Sequence, residues 1–227
     1  MGSTENVKLL GFWPSPFVMR VKIALSLKSI NYEFIEEPFG PKSELLLKSN
    51  PVHKKIPVFF HGDDKIIAES LVIVNYIDET WAFGAQILPS DTYDRAIARF
   101  WAAYLDDKWY PSLQGVVFGP EEGKKAGLEA VSEGLSLLED AFKKISKGNK
   151  FFGGEKIGYL DIALGSYLGW LKVTEKLANA KLLDEEKTPG LFKWTGDFVA
   201  EDDVKEFMPE TEKLVGFAQM IIELFKN

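Results

Sequence analysis

The chain has 227 residues, carries a formal net charge of −7 at neutral pH and contains no cysteine. This length suffices for a large core and is near the size at which two domains become usual. The acidic balance argues against nucleic acid as a partner, and a chain without cysteine performs no thiol–disulfide chemistry of its own. No apolar run is long enough to cross a bilayer, and the first residues show no targeting signal, so we expect a cytoplasmic protein that makes no membrane contact.

The first part of the sequence alternates short strands with helices. Strands are predicted over residues 7–12, 32–36, 58–61 and 65–68, and helices over residues 16–28, 43–49 and 70–80. Residues 61–65, between the last two strands, are typical of a hairpin turn. The pattern predicts a mixed α/β sheet with helices on its faces.

The second part of the sequence is helical almost throughout and follows a linker near residues 83–91. Apolar residues recur at helical spacing in two of its segments. The first segment contains Ile97, Phe100, Trp101, Tyr104, Leu105 and Lys108, and the second contains Leu128, Val131, Leu135, Leu138, Phe142 and Ile145. We therefore expect an all-helical second domain.

Ser15 stands between the first predicted strand and the first predicted helix. Serine is a favoured N-cap residue, and Pro16 suits the first helical position. A strand, a tight turn and a helix with serine at the tip form the layout of a thioredoxin-like active site, where redox proteins carry cysteine. The hydroxyl would lie at a helix N-terminus, whose free N–H groups favour an anion.

Two further short motifs predict a binding site for a peptide. Pro57 precedes an apolar run and marks a strand start, and the Ile56-Pro57 bond is a candidate for the cis form. The backbone of Ile56 would then be open to an extended peptide, as a sheet edge is. Glu69 and Ser70 begin an apolar helix, whose free N–H groups suit a carboxylate. Together these motifs predict a site for a small, anionic, extended peptide.

In their order and spacing, the motifs of this chain resemble those of plant tau-class glutathione transferases. The matching stretches are Trp13-Pro14-Ser15-Pro16-Phe17 with Arg20, Asn50-Pro51-Val52-His53-Lys54-Lys55-Ile56-Pro57-Val58, Glu69-Ser70, Arg99-Phe100-Trp101, Phe152-Gly153-Gly154 and Asp161-Ile162-Ala163-Leu164. The similarity runs from about Val7 to the C-terminus. The resemblance implies a thioredoxin-like glutathione-binding domain over residues 5–84, followed by an all-α domain over residues 92–227.

The resemblance also implies a role for each residue of the peptide site. Ser15 is expected to donate a hydrogen bond to the glutathione thiolate, which makes it the catalytic residue, and glutathione is a co-substrate rather than a cofactor. The backbone of Ile56 pairs with the cysteinyl unit, while Glu69 meets the γ-glutamyl ammonium and Ser70 its carboxylate. Two lysines are expected to contact the glycine carboxylate, and their local positive charge must overcome the acidic field of the protein. These are Lys42 and Lys55.

The second substrate is expected to be a hydrophobic electrophile held against apolar walls between the domains. By matching position, the resemblance implies Phe17, Tyr110, Trp170 and Phe217, with Ile221 and Gln114 as further candidates. Gln114 stands where related sequences often carry arginine, which puts any preference of the pocket for anions in doubt.

The resemblance implies conjugation of glutathione to electrophiles, in detoxification and plant stress response, with glutathione peroxidase side activity as a further option. Two alternatives remain. One is a carrier that binds flavonoids, porphyrins or similar ligands with little turnover, and the sequence does not separate it from an enzyme. The other is an assembly module, against which the complete set of predicted glutathione contacts argues.

A homodimer is the expected assembly, again from the resemblance. Asp78 and Glu79 end one predicted helix, while Arg95 and Arg99 lie early in the next. These opposite charges are candidates for pairs across a two-fold axis. The alternative is that both sets are simply exposed to solvent.

Several other polar residues are better interpreted as structural. His53 and His61 are the only histidines and no cysteine accompanies them, so no metal site is expected. Residues 106–108 are predicted to form a solvated helix face. Asp161 is expected to cap its helix through backbone N–H groups alone, because Gly158 stands where a capping hydroxyl would otherwise lie.

Overall fold

The computed structural model describes residues 6–224, and the chain divides between Ile87 and Leu88 into two compact units. The first unit contains the strands β1 (Val7–Gly11), β2 (Glu33–Glu36), β3 (Val58–His61) and β4 (Lys65–Ala68), and the helices α1 (Pro16–Leu27), α2 (Glu44–Ser49) and α3 (Ser70–Thr80). Each of these elements agrees with the prediction to within one residue at either end.

The four strands form one mixed sheet in the order β2-β1-β3-β4. β1 runs parallel to β2 and antiparallel to β3, and β3 and β4 form the predicted antiparallel hairpin. Successive side chains of a strand point to opposite faces. Leu10 and Val58 therefore meet α2 through Leu46 on one face, while Phe59 contacts Tyr76 of α3 on the other.

A buried ion pair holds the segment that follows α3. The Lys28 ammonium lies 2.7 Å from the Asp78 carboxylate, and the two residues are 2% and 9% exposed. The same carboxylate accepts a hydrogen bond from the Ile87 N–H, and Lys28 also donates to the Phe83 carbonyl. The expectation that Asp78 pairs across a dimer interface is therefore wrong, because its carboxylate is already buried against Lys28.

The second unit is helical, as predicted. Its elements are α4 (Thr92–Tyr104), a π-helical segment (Leu105–Trp109), α5 (Tyr110–Phe118), α6 (Glu121–Ser146), α7 (Tyr159–Gly165), α8 (Leu168–Ala178), α9 (Pro189–Ala200), α10 (Asp202–Lys205) and α11 (Thr211–Leu224). Within residues 6–224, no helix is both long and apolar enough to cross a membrane.

The predicted amphipathic helix around residue 100 differs from the observed one. A π-helical segment follows α4, so the predicted apolar stripe is broken before Lys108. Phe100 is 61% exposed, whereas Ala98 and Ala102 are buried. Small residues let α4 pack closely on its neighbours, and this contact turns the larger aromatic ring outward. The stripe predicted in α6 is buried or half-buried along its length.

Asp161 is a fully buried carboxylate in α7 that joins three parts of the helical unit. It accepts hydrogen bonds from the backbone N–H groups of Phe152, Gly153 and Gly158. The indole N–H of Trp194 in α9 donates a fourth, at 2.7 Å. The expectation of backbone partners alone is therefore wrong. Burial raises the pKa of Asp161 to about 6, although its hydrogen bonds oppose that shift.

The raised pKa makes the stability contributed by Asp161 depend on pH. An unfolded aspartate titrates near 3.8, so the native state holds an extra proton between about pH 4 and about pH 6. The stability contributed by Asp161 is fully present below about pH 4 and is lost as the pH rises through about 6. Relative to Asp161→Asn, we expect the free energy of unfolding of the natural protein to be about 1.4 kcal/mol larger at about pH 5 than at about pH 7.5.

Urea unfolding of both proteins at the two pH values measures this difference. All other titrating groups are common to the pair and cancel in the comparison. If the difference in unfolding free energy between the natural protein and Asp161→Asn is the same at both pH values, or is smaller at pH 5, the buried carboxylate remains ionised.

Candidate functional site

The register of the sheet brings four chain segments to one end of it. Gly11 pairs with Glu36, so the parallel strands β1 and β2 end together. Val58, at the start of β3, pairs with Leu10 on one side and with Ala68, the last residue of β4, on the other. The segments that leave the sheet at this end carry the residues predicted to bind glutathione: Ser15, Lys42, Lys55, Ile56, Glu69 and Ser70.

Ser15 is the N-cap of α1, as predicted. Its oxygen accepts a hydrogen bond from the Val18 N–H at 3.3 Å, and its own N–H donates to the Phe12 carbonyl at 3.1 Å. A serine hydroxyl that accepts through a lone pair keeps its proton for another partner. The half-buried Ser15 hydroxyl can therefore donate to an anion at the start of α1.

Ile56 precedes β3, and its bond to Pro57 is cis, which confirms that prediction. Its side chain packs against the buried cluster of Leu10, Leu46 and Val58. Among residues 6–224, no hydrogen-bond partner is found for the N–H or C=O of Ile56. One donor and one acceptor are therefore available to an extended ligand backbone.

Glu69 has an unusual backbone conformation at the start of α3. Its φ of 72° and ψ of 113° are unfavourable for any residue with a Cβ, and such strain is often found at functional sites. The carboxylate is exposed and lies 3.8 Å from Nε2 of His53. Ser70 is buried, and its hydroxyl accepts a hydrogen bond from the fully buried guanidinium of Arg20 at 3.2 Å.

Lys42 and Lys55 lie on either side of the short helix α2, and both side chains are exposed. Within the described part of the chain, neither ammonium has an ion-pair partner in the structure. The two lysines are therefore available to an anionic ligand. Separately, residues 6–224 contain no cluster of three acidic or histidine side chains that could hold a metal ion.

Comparison with known proteins places this arrangement in a family. The model of the glutathione S-transferase N-terminal domain matches residues 5–79, and that of the C-terminal domain matches residues 91–196. Glutathione S-transferase U17 of Arabidopsis thaliana is 58% identical over 221 residues, which cover 96% of this chain and 97% of that protein. The chain belongs to the glutathione S-transferase family.

Two solved structures agree with this assignment of the transferase. The tau-class glutathione S-transferase of mango, Mangifera indica, is 63% identical, with a TM-score of 0.91 over 95% of this chain and 98% of that one. Rice GST1, solved in complex with glutathione, is 34% identical, with a TM-score of 0.89 over 99% of both chains. The resemblance to the tau class and the predicted fold, a thioredoxin-like domain followed by an all-helical one, are confirmed.

Two of the predicted electrophile contacts of the transferase lie in two aromatic pairs of the helical unit. The buried ring of Tyr110 stacks on Tyr167, with 4.2 Å between centroids. The Tyr167 hydroxyl donates to the Asp106 carboxylate at 2.7 Å, so the prediction of a solvated face is wrong for Asp106. Trp170 is also buried and meets Phe118 edge to face.

The other electrophile candidates are more accessible. Phe17 in α1 is half-buried, with the Arg20 guanidinium 5.2 Å from its ring centroid. In the helical unit, Phe217 of α11 is half-buried and Gln114 of α5 is exposed. All of these contacts stay predictions.

The sequence did not reveal the buried polar residues beneath the predicted contacts. The sequence identifies Arg20 only as part of a matching motif, whereas in the structure it donates a hydrogen bond to Ser70 from a fully buried position. Glu37 and Asn50 are also buried, at opposite ends of α2. Polar residues are usually exposed, so only the tertiary structure shows that these side chains point inward.

The strain at Glu69 makes a prediction for stability. Glu69→Gly should raise the free energy of unfolding by about 1 kcal/mol, because release of roughly 1–3 kcal/mol of strain exceeds the entropic cost of glycine. Glu69→Gln keeps the Cβ and the strain and should leave stability nearly unchanged. Urea unfolding of the three proteins provides the measurement, and equal stability of the glycine and glutamine variants would show that the backbone is unstrained.

Proposed function

We propose that this transferase conjugates the thiolate of glutathione to hydrophobic electrophiles in the cytoplasm, as part of detoxification and the plant stress response. The observation that carries the proposal is the Ser15 hydroxyl, which keeps a free proton at the N-terminus of α1. The same end of the sheet carries the strained turn at Glu69 and the backbone of Ile56, for which residues 6–224 provide no hydrogen-bond partner. The complex of the rice relative with glutathione supports the choice of ligand.

The proposed contacts distribute the three parts of glutathione over three segments. The backbone of Ile56 exchanges hydrogen bonds with the cysteinyl unit. The exposed Glu69 carboxylate meets the γ-glutamyl ammonium, and Ser70, held by Arg20, meets the adjacent carboxylate together with the N–H groups at the start of α3. The ammonium groups on either side of α2 meet the glycine carboxylate, through Lys42 and Lys55.

The chemistry requires an anionic sulfur, because the thiolate is the nucleophile and a free thiol is mostly protonated at neutral pH. Ser15 donates its hydroxyl hydrogen to the sulfur, and the N-terminus of α1 adds favourable charge. Lowering the thiol pKa by about two units takes about 2.7 kcal/mol of differential stabilisation, which these groups can supply. The thiol proton leaves to water, and the sulfur then forms a bond to the electrophilic carbon as the leaving group departs with its electron pair.

For the electrophile, we propose contacts with the four aromatic residues named from the resemblance. These residues are Phe17, Tyr110, Trp170 and Phe217. Their rings supply apolar surface and stacking partners for a flat hydrophobic substrate. The alternative of a ligand carrier predicts binding of such compounds without turnover, so the role of Ser15 separates the two functions.

Ser15→Ala should lower kcat for conjugation of a chlorinated nitrobenzene by about a hundred- to a thousand-fold, because it removes the donor to the developing anion. Glutathione affinity should change little, since the peptide contacts remain. The pKa of bound glutathione should rise, which shifts the pH profile of kcat/KM for the electrophile, measured at saturating glutathione, to higher pH. Steady-state kinetics over a range of pH provide the measurement.

Two control variants separate catalysis from helix capping. Ser15→Thr keeps a hydroxyl and should retain most of the turnover. Asp91→Ala removes the N-cap of α4, whose carboxylate accepts from the N–H groups of Tyr93 and Asp94, and should lower the stability of the protein while turnover stays normal. If Ser15→Ala behaves like Asp91→Ala, with an unshifted pH profile, Ser15 is only a cap and the carrier function gains support.

We also propose that the transferase is a homodimer. Tyr93 and Phe100 of α4 are 70% and 61% exposed, and exposed aromatic surface of this kind favours an interface. Glu79 and Arg99 are exposed as well and remain candidates for a pair across the two-fold axis. Sedimentation velocity at micromolar concentration should give twice the 25.6 kDa of one chain, and a monomeric mass would contradict the proposal.

A further inference from the structure

We propose that Glu37 and Asn50 are positioning residues, which fix the backbone of Lys42 and Lys55 so that both ammonium groups meet the glycine carboxylate of glutathione. The inference rests on the proposed function, because it assumes that the two lysines bind this carboxylate. Both positioning residues are buried and polar, and one stands at each end of α2. Neither touches the ligand in this proposal.

Glu37 closes the loop that carries Lys42. It is 5% exposed, and its two carboxylate oxygens accept from the N–H and the hydroxyl of Ser43, at 2.8 and 2.7 Å. The same hydroxyl oxygen caps α2 by accepting from the Leu46 N–H. A buried carboxylate is costly unless its hydrogen bonds are made, so the conformation of Ser43 is strongly fixed. Lys42 is the residue directly before it.

Asn50 closes the loop that carries Lys55. It is 4% exposed, and its amide nitrogen donates to the Lys55 carbonyl at 2.9 Å while its amide oxygen accepts from the His53 N–H at 3.1 Å. Its backbone carbonyl also accepts from the Lys54 N–H. The side chain of one buried residue thus pins both the middle and the end of this loop.

The helix between the two loops cannot supply this order by itself. α2 has six residues, and isolated helices of this length are unstable in water. Its one buried side chain, Leu46, packs on the sheet through Leu10 and Val58. The buried polar groups at its two ends therefore decide where each lysine backbone lies.

Fixing the lysine backbones should matter for affinity. A lysine side chain loses substantial rotamer entropy when it binds, and a mobile backbone would add to that loss. In a protein of net charge −7, two ammonium groups that contact the same carboxylate would also offset the unfavourable field met by an anionic ligand. Preorganisation of this kind improves binding without adding any contact.

The test uses the near-isosteric variants Glu37→Gln and Asn50→Asp. The first converts one carboxylate acceptor into an amide donor, and the second removes the donor to the Lys55 carbonyl. Each should raise KM for glutathione about tenfold, which corresponds to about 1.4 kcal/mol, and leave kcat nearly unchanged. The glycine monoethyl ester of glutathione lacks the negative charge at that end. With this ester as substrate, the two variants and the natural protein should have the same KM.

Lys42→Ala and Lys55→Ala serve as reference variants, and the doubles Glu37→Gln/Lys42→Ala and Asn50→Asp/Lys55→Ala complete the cycles. If the buried residues act through the lysines, each double variant has the KM of its lysine single variant. Ser43→Ala removes one of the two bonds to Glu37 and carries the same test if Glu37→Gln does not fold.

The outcomes separate this inference from the proposed function. If the lysine variants raise KM for glutathione but Glu37→Gln and Asn50→Asp do not, the positioning role is overturned and the glycine contact stands. If those two variants raise KM for glutathione and for the ester equally, their role is structural and the inference is again overturned. If the lysine variants leave KM unchanged, the proposed glycine contact itself fails.

Discussion

The pairing register of β1, β2, β3 and β4 is the constraint on which the candidate site depends. Because Leu10 faces Val58, and Val58 faces Ala68, three strands reach the same end of the sheet. The parallel pairing of Gly11 with Glu36 adds the fourth. A register slip of one residue would turn every side chain of the slipped strand to the opposite face. The buried pair of Leu10 and Val58 thus fixes both the core and the meeting point of the functional segments.

At this meeting point, three of the proposed ligand contacts are supported by buried polar groups. Ser70 is held by Arg20, Lys42 by the bonds between Glu37 and Ser43, and Lys55 by Asn50. The supporting groups make their hydrogen bonds within the protein. The entropy of ordering them is therefore lost during folding rather than during ligand binding. Such an arrangement suits a site that must recognise a flexible tripeptide with charges at both ends.

Local chemistry explains which features could be predicted from the sequence. Proline and serine act on their immediate neighbours, so the start of α1, the Ile56-Pro57 bond and the start of α3 were predicted correctly. Asp78 and Asp106 were mispredicted because their partners, Lys28 and Tyr167, are distant in the sequence. Phe100 was mispredicted because α4 packs through its small alanines, which turns the larger ring outward. The inward orientation of Glu37 and Asn50 gave no signal in the sequence, since it arises only when α2 packs on the sheet.

The strained backbone at Glu69 has a consequence for protein engineering. A selection for heat tolerance alone rewards any substitution that relaxes the chain, and a glycine at this position would be enriched early. The selected variants would lack the carboxylate that we propose contacts the γ-glutamyl ammonium, and this loss would be detected only when activity was assayed. Substitutions that increase the heat stability of this transferase should therefore be selected at other positions, with residue 69 kept as glutamate throughout the library.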